Sequence, residues 1–393
     1  MVVVLPFANM SGDPEQEYFA DGITEDLTTA LSRVRWFSVI ARNSAFTYKG
    51  RAVDVRQVGR ELGVGYVLEG SVRKVGGQVR ISAQLCEAGS GGHVWAERFD
   101  GELADIFDLQ DRVAGAVAGA IEPNLRLAEV ERIRAKPTES LGAYDLYLRA
   151  LPQRWATHDG NDEALRLLRR AVALDPGFAT AKGTLASLHT VRFAQGWAGE
   201  GDVAEAVRLA REVVEGGDAG GDPAALSGAA MALAYLARDH EAGLAAVERA
   251  LALGPDSAMA LIHSGWIHAY AGDAATAVAH LERAIRLSPL DPAMFSLAAA
   301  LSLAHLVGGR YQESVGCARR ALRDRPAYLS AHRLLAAGLA LLGRSEEAKE
   351  AVCTLLSYVP GYTVAAAAEH SALRHPALRE RYLDALRKAE LPE

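Results

Sequence analysis

Cysteine is scarce in this sequence: Cys86, Cys317 and Cys353 are the only three in 393 residues, and no two form a CxxC pair. That excludes a disulfide-stapled scaffold and a cysteine-rich zinc module, and it points to reduced thiols in a reducing compartment. Aromatic residues make up only 7% of a chain that is 50% hydrophobic, so the core has to come from closely packed small and aliphatic side chains. Positive charge is not in excess. A net charge of -7 excludes a general nucleic-acid binder, which would carry a basic stripe. Long apolar runs are missing too. The opening MVVVLPFANM has no basic n-region and no small-residue cleavage site, and it is too short to span a bilayer. The Ala-rich stretches Ala224–Ala237 and Leu297–Val307 are interrupted by Ser, Gly or His. The expectation is a cytoplasmic protein with neither a membrane nor a nucleic-acid partner.

Catalytic signatures are also lacking. No GxSxG elbow and no GxxxxGK[ST] loop occurs. Gly59-Arg60-Glu61-Leu62-Gly63-Val64-Gly65 has the wrong spacing and no lysine, and reads as a helix end turning into a strand. His263 and His268, like His370 and His375, are five apart, whereas shared ligation from one helix face needs three or four. No catalytic residue, cofactor or metal is expected.

What is present divides in two. Residues 1–135 read as an α/β domain on a mixed sheet, in the order β-α-β-α-β-β-β-α. Val2–Phe7 is a buried-type strand stopped by the turn residues Asn9–Pro14. A helix over Phe19–Val34 places Ile23, Leu27, Ala30 and Leu31 on one face, and Phe37–Ala41 is the next strand. Asp54 caps a second helix that stops at Gly63. The period then changes to two over Tyr66–Val75, Val79–Glu87 and His93–Phe99. Gly76-Gly77 between the first two is a hairpin signal. A helix from Asp108 to Arg134 closes the domain, with Val113, Val117, Ile121 and Leu125 at helical spacing.

The strings VVVLPFANMSGDPEQEYFADGITEDLTTALSR, VIARNSAFTYKG, VGRELGVGYVLEGSVRK and WAERFDGELADIFDLQD resemble the domain family related to the amino-terminal domain of the Tol-Pal protein TolB. In many bacterial proteins such a domain stands directly before tetratricopeptide repeats, behind a class III adenylate/guanylate cyclase domain or a winged helix-turn-helix. The resemblance brings no catalytic residues. It implies regulation of a cyclase or of transcription. Because Met1 opens on the first strand, three expectations follow: the effector has been lost, the chain is a fragment with the effector in cis on a longer protein, or the effector acts in trans.

Charge is unevenly laid out in this domain. Asp13, Glu15, Glu17, Asp21, Glu25 and Asp26 crowd its first loop and helix, and Arg33 to Arg80 is basic. Two readings follow: faces that pair across the sheet, or a patch of Arg42, Lys49 and Arg51 for an anionic ligand or acidic partner.

A linker at 136–142 carries Pro137, and residues 143–375 read as about six helical hairpins. Prolines recur at Pro176, Pro223, Pro255, Pro289, Pro326 and Pro360, and the last four are separated by 34, 37 and 34 residues. Ala171, Ala250, Ala284 and Ala321 each stand five places before a proline, and Ala164, Ala277 and Ala348 stand twelve before. A period near 34 with helix–turn–helix patterning is the tetratricopeptide signature. The second unit is longer, with insertions at Gln195–Gly201 and Gly216–Gly221. Residues 376–393 are a capping helix. Such arrays bind a partner protein or peptide on their first helices, and the phase puts Arg149, Gln153, Ile262, Trp266, Tyr270 and Arg333 on that wall. If Trp266 and Tyr270 face a partner, replacing them by Ala should leave stability nearly intact.

Overall fold

A computed structural model describes residues 1–32, 38–121, 140–151, 153, 158–216, 222–289, 291 and 293–393. The first part is the mixed sheet with helices that the patterning predicts. Strands β1 (Val2–Val4), β2 (Ala8–Asn9), β3 (Tyr66–Val75), β4 (Gln78–Glu87) and β5 (His93–Glu102) order as β1-β3-β4-β5, with β2 also on β3. The β1–β3 and β2–β3 pairs are parallel, and β3–β4 and β4–β5 are antiparallel. The single strand expected over Val2–Phe7 is broken at Pro6, which has no N–H to give the ladder. Beyond it the Phe7 N–H goes to Thr24 Oγ1 at 3.0 Å, a buried hydroxyl on helix α1 (Glu17–Ser32). The strand expected over Phe37–Ala41 shrinks to a bridge between Val2 and Val39, and Phe37 lies outside the described residues. The chain turns after Ile40 into the short helix α2 (Arg42–Ala45), which the pattern did not foresee.

Helix α3 (Val55–Leu62) is framed as expected: Asp54 accepts from the Arg56 N–H at 2.8 Å, and Gly63 ends it at φ 66°. Gly76 enters the β3–β4 turn at φ 60°, a left-handed value that glycine adopts without strain. Helix α4 runs Ile106–Ile121, and the remainder of the helix expected to Arg134 falls outside the described residues.

The first compact unit comprises Met1–Phe178 with Leu253–Ala258 and Ile285–Asp291. The sheet domain therefore packs with the first helical hairpin, α5 (Leu141–Ala150) and α6 (His158–Leu174). Tyr144 on α5 hydrogen-bonds Asp26 on α1, Gln110 reaches the same carboxylate at 2.7 Å, and the Phe107 and Tyr144 rings meet edge-on at 5.3 Å. The 285–291 segment is tied in by the Ala41 N–H to Leu287 O (2.9 Å) and by Asn43 Nδ2 to Asp291 Oδ1 (3.1 Å).

The second unit holds α7 (Ala179–Ala194), α8 (Asp202–Glu215), α9 (Pro223–Tyr235), α10 (His240–Leu253), α11 (Ala258–Ala271), α12 (Ala274–Leu287), α13 (Met294–Val307), α14 (Tyr311–Asp324), α15 (Leu329–Leu341) and α16 (Ser345–Tyr358), apart from the segments assigned above. They pair in sequence as helical hairpins. Then come α17 (Val364–Glu369) and α18 (Pro376–Lys388). Pro176, Pro255 and Pro326 sit in the turns between hairpins, whereas Pro223 is the first residue of α9, under an Asp222 cap. Pro223 thus starts a helix instead of following one, because a missing N–H costs nothing at that position.

Small residues set the helix spacing. A Cβ on Gly228 would lie 2.2 Å from the Gly183 carbonyl oxygen, so α7 and α9 touch backbone to backbone there. At Gly265 a Cβ would meet Leu281 Cγ at 2.4 Å, and Ala277 and Ala284 are fully buried, as the repeat phase predicts. A backbone neighbour cannot swing aside. Gly228→Ala is therefore expected to destabilise the chain by about 1–3 kcal/mol in denaturant unfolding, from overpacking; an unchanged midpoint would refute the contact.

Candidate functional site

The structure gathers four of the wall residues and separates two. Ile262, Trp266 and Tyr270 follow at four-residue spacing on α11, and Arg333 stands on α15, all in the second unit. Arg149 and Gln153 belong to the first unit. There Arg149 pairs with Asp145 at 3.0 Å and lies 4.5 Å over the Tyr18 ring. The four that meet are not open to solvent. Trp266 is 7% exposed, Tyr270 6% and Arg333 5%.

Their surroundings form a continuous cluster. Tyr270 stacks on Trp266 at 5.7 Å and on Tyr235 of α9 at 5.5 Å. Phe193 of α7 meets Tyr235 edge-on at 5.9 Å. The segment after α16 lies over these rings. Phe193 touches the His370 imidazole at 5.0 Å, Tyr235 Oη donates to His370 O at 3.0 Å, and the Arg374 N–H donates to Tyr270 O at 2.9 Å. Arg333 Nη1 donates to Tyr362 Oη at 2.7 Å and Nη2 to Ser330 Oγ at 3.1 Å. The Tyr362 hydroxyl lies 3.0 Å from His370 Nδ1. Burial pushes the Tyr235 and Tyr270 phenols above their ordinary range. Burial, with Arg333 and Arg238 nearby, holds the His370 imidazole down to about 4. Neutral His370 can accept from Tyr362 at Nδ1, while Tyr362 accepts from Arg333, so the three form one chain of hydrogen bonds.

The basic patch is largely satisfied within its own unit. Glu17, Asp21 and Glu25 stand at i, i+4 and i+8 on α1, one face of a helix. Lys49 Nζ sits 2.6 Å from Asp21 and 3.4 Å from Glu17, and Arg42 Nε 3.1 Å from Glu25. Arg42 also lies 3.7 Å over the Phe46 ring. Arg51 is the exposed member of the three, over the Tyr48 ring at 5.7 Å.

A cluster the sequence reading missed joins α7 to α8. His189 Nε2 lies 3.1 Å from Glu205 Oε2, and His189 Nδ1 3.7 Å from Asp202 Oδ2. The donor set resembles a cation site, and it is the one such group of three among the described residues. Yet Asp202 Oδ2 already accepts from the Gly199 N–H at 2.9 Å and from Arg192 Nε at 3.3 Å. Arg192 Nη2 in turn donates to Trp197 O at 3.0 Å. Burial opposes ionisation of Asp202, but Gly199, His189 and Arg192 outweigh it and hold the carboxyl below the ordinary carboxylate range. A cation would have to displace a buried guanidinium, so the group does structural work, folding the Gln195–Gly201 insertion onto its hairpin. Its members come from two antiparallel helices, and no spacing within one element could have revealed it.

Two outcomes follow. Trp266→Ala or Tyr270→Ala is expected to cost about 3–5 kcal/mol of stability, as truncating a buried ring does, which reverses the expectation of near-intact stability; equilibrium unfolding decides it. His370 has a folded-state value below its unfolded 6.5. Its contribution is therefore complete above pH 6.5 and is lost as the pH falls from there to about 4. In an NMR titration the His370 imidazole should stay neutral at pH 5.5; titration near 6.5 would contradict the buried contact.

Among the described residues no helix is long and apolar enough to cross a membrane. None of the protein-family models matches the chain. A protein of Rhizobium meliloti (strain 1021) named "Putative adenylate cyclase 3" is 44% identical over 247 residues, which is 61% of this chain and 41% of that protein. The chain thus spans well under half of that relative. Solved structures with a likeness include MamA from Desulfovibrio magneticus RS-1 (20% identity, TM-score 0.33, 45% of this chain and 94% of that one). YrrB, described as a TPR protein with an unusual peptide-binding site, gives 20%, 0.31, 46% and 90%. PilW, a type IV pilus biogenesis factor, gives 14%, 0.38, 57% and 96%.

Proposed function

We propose that this chain is a non-catalytic interaction and regulatory module. Its helical hairpins hold a partner protein or peptide, through Ile262, Trp266, Tyr270 and Arg333 in the second unit and through Arg149 and Gln153 in the first. The α/β domain senses or docks, and Arg42, Lys49 and Arg51 form its surface for an anionic ligand or acidic partner, which meets the exposed Arg51 first and has to draw Arg42 and Lys49 from Glu25 and Asp21. The setting is cyclic-nucleotide or transcriptional signalling, through a cyclase or DNA-binding effector in cis or trans. The observation that carries the reading is the 44% identity to the protein named as an adenylate cyclase, over 61% of this chain. The resemblance to TolB-related domains found beside cyclases supports the same setting, and the 34-residue hairpins support the binding role.

A second reading is favoured by the 41% coverage of that relative: the chain is the regulatory part of an adenylate cyclase whose catalytic domain lies elsewhere. One experiment addresses both. The purified chain is mixed with the part of the Rhizobium protein outside the matched region, and elution and cyclic AMP formation from ATP are followed. Co-elution with a severalfold change in rate is expected. Activity appearing only in the mixture would select the second reading. Cyclic AMP made by this chain alone would overturn the non-catalytic assignment, and unchanged elution and rate would overturn the cyclase setting.

A further inference from the structure

The wall that the repeats would offer a partner is already occupied, and the occupant is bound as a peptide would be. Between α17 and α18 the chain runs for six residues, His370–His375, outside regular helix. Main-chain groups of the segment, and of Glu369 at the end of α17 just before it, make the contacts. Glu369 O accepts from Arg238 Nη2, His370 O accepts from Tyr235 Oη at 3.0 Å, and the Arg374 N–H donates to Tyr270 O at 2.9 Å. Backbone bonds of this kind hold a segment whatever its sequence, and buried side chains then supply the selectivity. Here Ala372 is 2% and Leu373 7% exposed, whereas Ser371 is half-buried and Arg374 and His375 face solvent. Arg374 Nη2 reaches Glu241 Oε1 at 2.9 Å. The segment thus buries a small residue and a leucine in succession, followed by a cation beside Glu241.

Two further observations make this segment a ligand more than a piece of core. Arg238 has φ 59°, a left-handed value that usually falls to glycine after a helix, and a non-glycine residue there costs about 1–2 kcal/mol. The strain aims its guanidinium at Glu369 O, across the Tyr235 ring at 5.3 Å. Beside the segment lies a cleft of about 720 Å³ lined by Arg238, Glu241, Ser371, Arg374 and Arg379.

We propose that residues 370–375 are a built-in ligand, and that a partner binds by presenting an extended segment with a small residue–leucine–arginine core that displaces them from the Tyr235–Tyr270–Arg238 bed. The inference rests on the reading that these hairpins hold a peptide, and it names the peptide's chemistry. A tethered segment competes at an effective concentration in the millimolar range, so the resting chain binds such peptides weakly.

The test uses the full chain and a labelled peptide of residues 368–376, Ala-Glu-His-Ser-Ala-Leu-Arg-His-Pro. In the Leu373→Asp chain the tethered segment loses its apolar anchor, and the peptide is expected to bind at least about tenfold tighter than to the parent, the worth of one buried leucine. A peptide carrying Asp at the leucine should not bind either chain. Equal, weak binding to both chains overturns the proposal, provided hydrogen exchange shows the Arg374 amide released in the variant. Arg238→Gly guards against misfolding, since glycine suits that backbone. It should leave the melting temperature near that of the parent and speed exchange at the Arg374 amide by about tenfold or more; unchanged exchange would also overturn the proposal. A concentration-dependent dimer of the Leu373→Asp chain that excludes the peptide would refute a partner peptide and name a second copy as the occupant. The peptide assay does not involve a cyclase. Tight peptide binding with no co-elution in the cyclase mixture would remove the signalling setting and keep the bed, and the converse would do the reverse.

Discussion

A helix that is apolar around its whole circumference must be covered on every side, and α9 and α13 are such helices. Every residue of α9 except Ala224 is buried, and α13 is buried from Leu297 to Ala304. One side of each is covered by its own hairpin partner and by the neighbouring hairpins, at distances that glycine and alanine permit. Gly183 against Gly228 is the closest of these contacts. The remaining side needs a cover of its own, and at the aromatic cluster the segment after α16 supplies it. The same segment reaches Tyr270 of α11 through the Arg374 N–H and Arg333 of α15 through Tyr362, and both are buried with it.

The same requirement explains how polar groups are handled inside the second unit. Arg333 is a buried cation kept company by the Tyr362 hydroxyl and ring and by the Ser330 hydroxyl. A cation in such a place depends on hydrogen-bond acceptors held at the right distance. His370 serves that arrangement by staying neutral, so its imidazole belongs to the fold of the covering segment as much as to any site. In the α/β domain the logic is simpler. Acid on one face of α1 meets base from the loop around α2, and the charge that looked available for a ligand is mostly spent within the domain.

Much of this was legible beforehand. The β3–β4 hairpin, the Asp54 cap, the Gly63 stop and the close contact at Gly265 are consequences of residue type at short range, and they appear where the pattern puts them. The signal against an open wall was also in the sequence, in strings such as ALSGAAMALAY and FSLAAALSLAHLV, which leave no polar face for solvent. The break at Pro6 was visible as well, although its remedy, the Thr24 hydroxyl on a different element, was not.

The amino-acid order by itself determined most of the elements, their turns and the 34-residue period, because capping, proline placement and small-residue spacing act within a few residues of chain. Only the tertiary structure decided which side chains meet. It set Phe193, Tyr235, Tyr270 and His370 in one cluster, paired His189 with Glu205, and turned Arg42 and Lys49 toward α1. These contacts join residues as much as 177 positions apart (Phe193 and His370), across which no local pattern extends. They arise from the burial of surfaces that each element, taken alone, would leave in water.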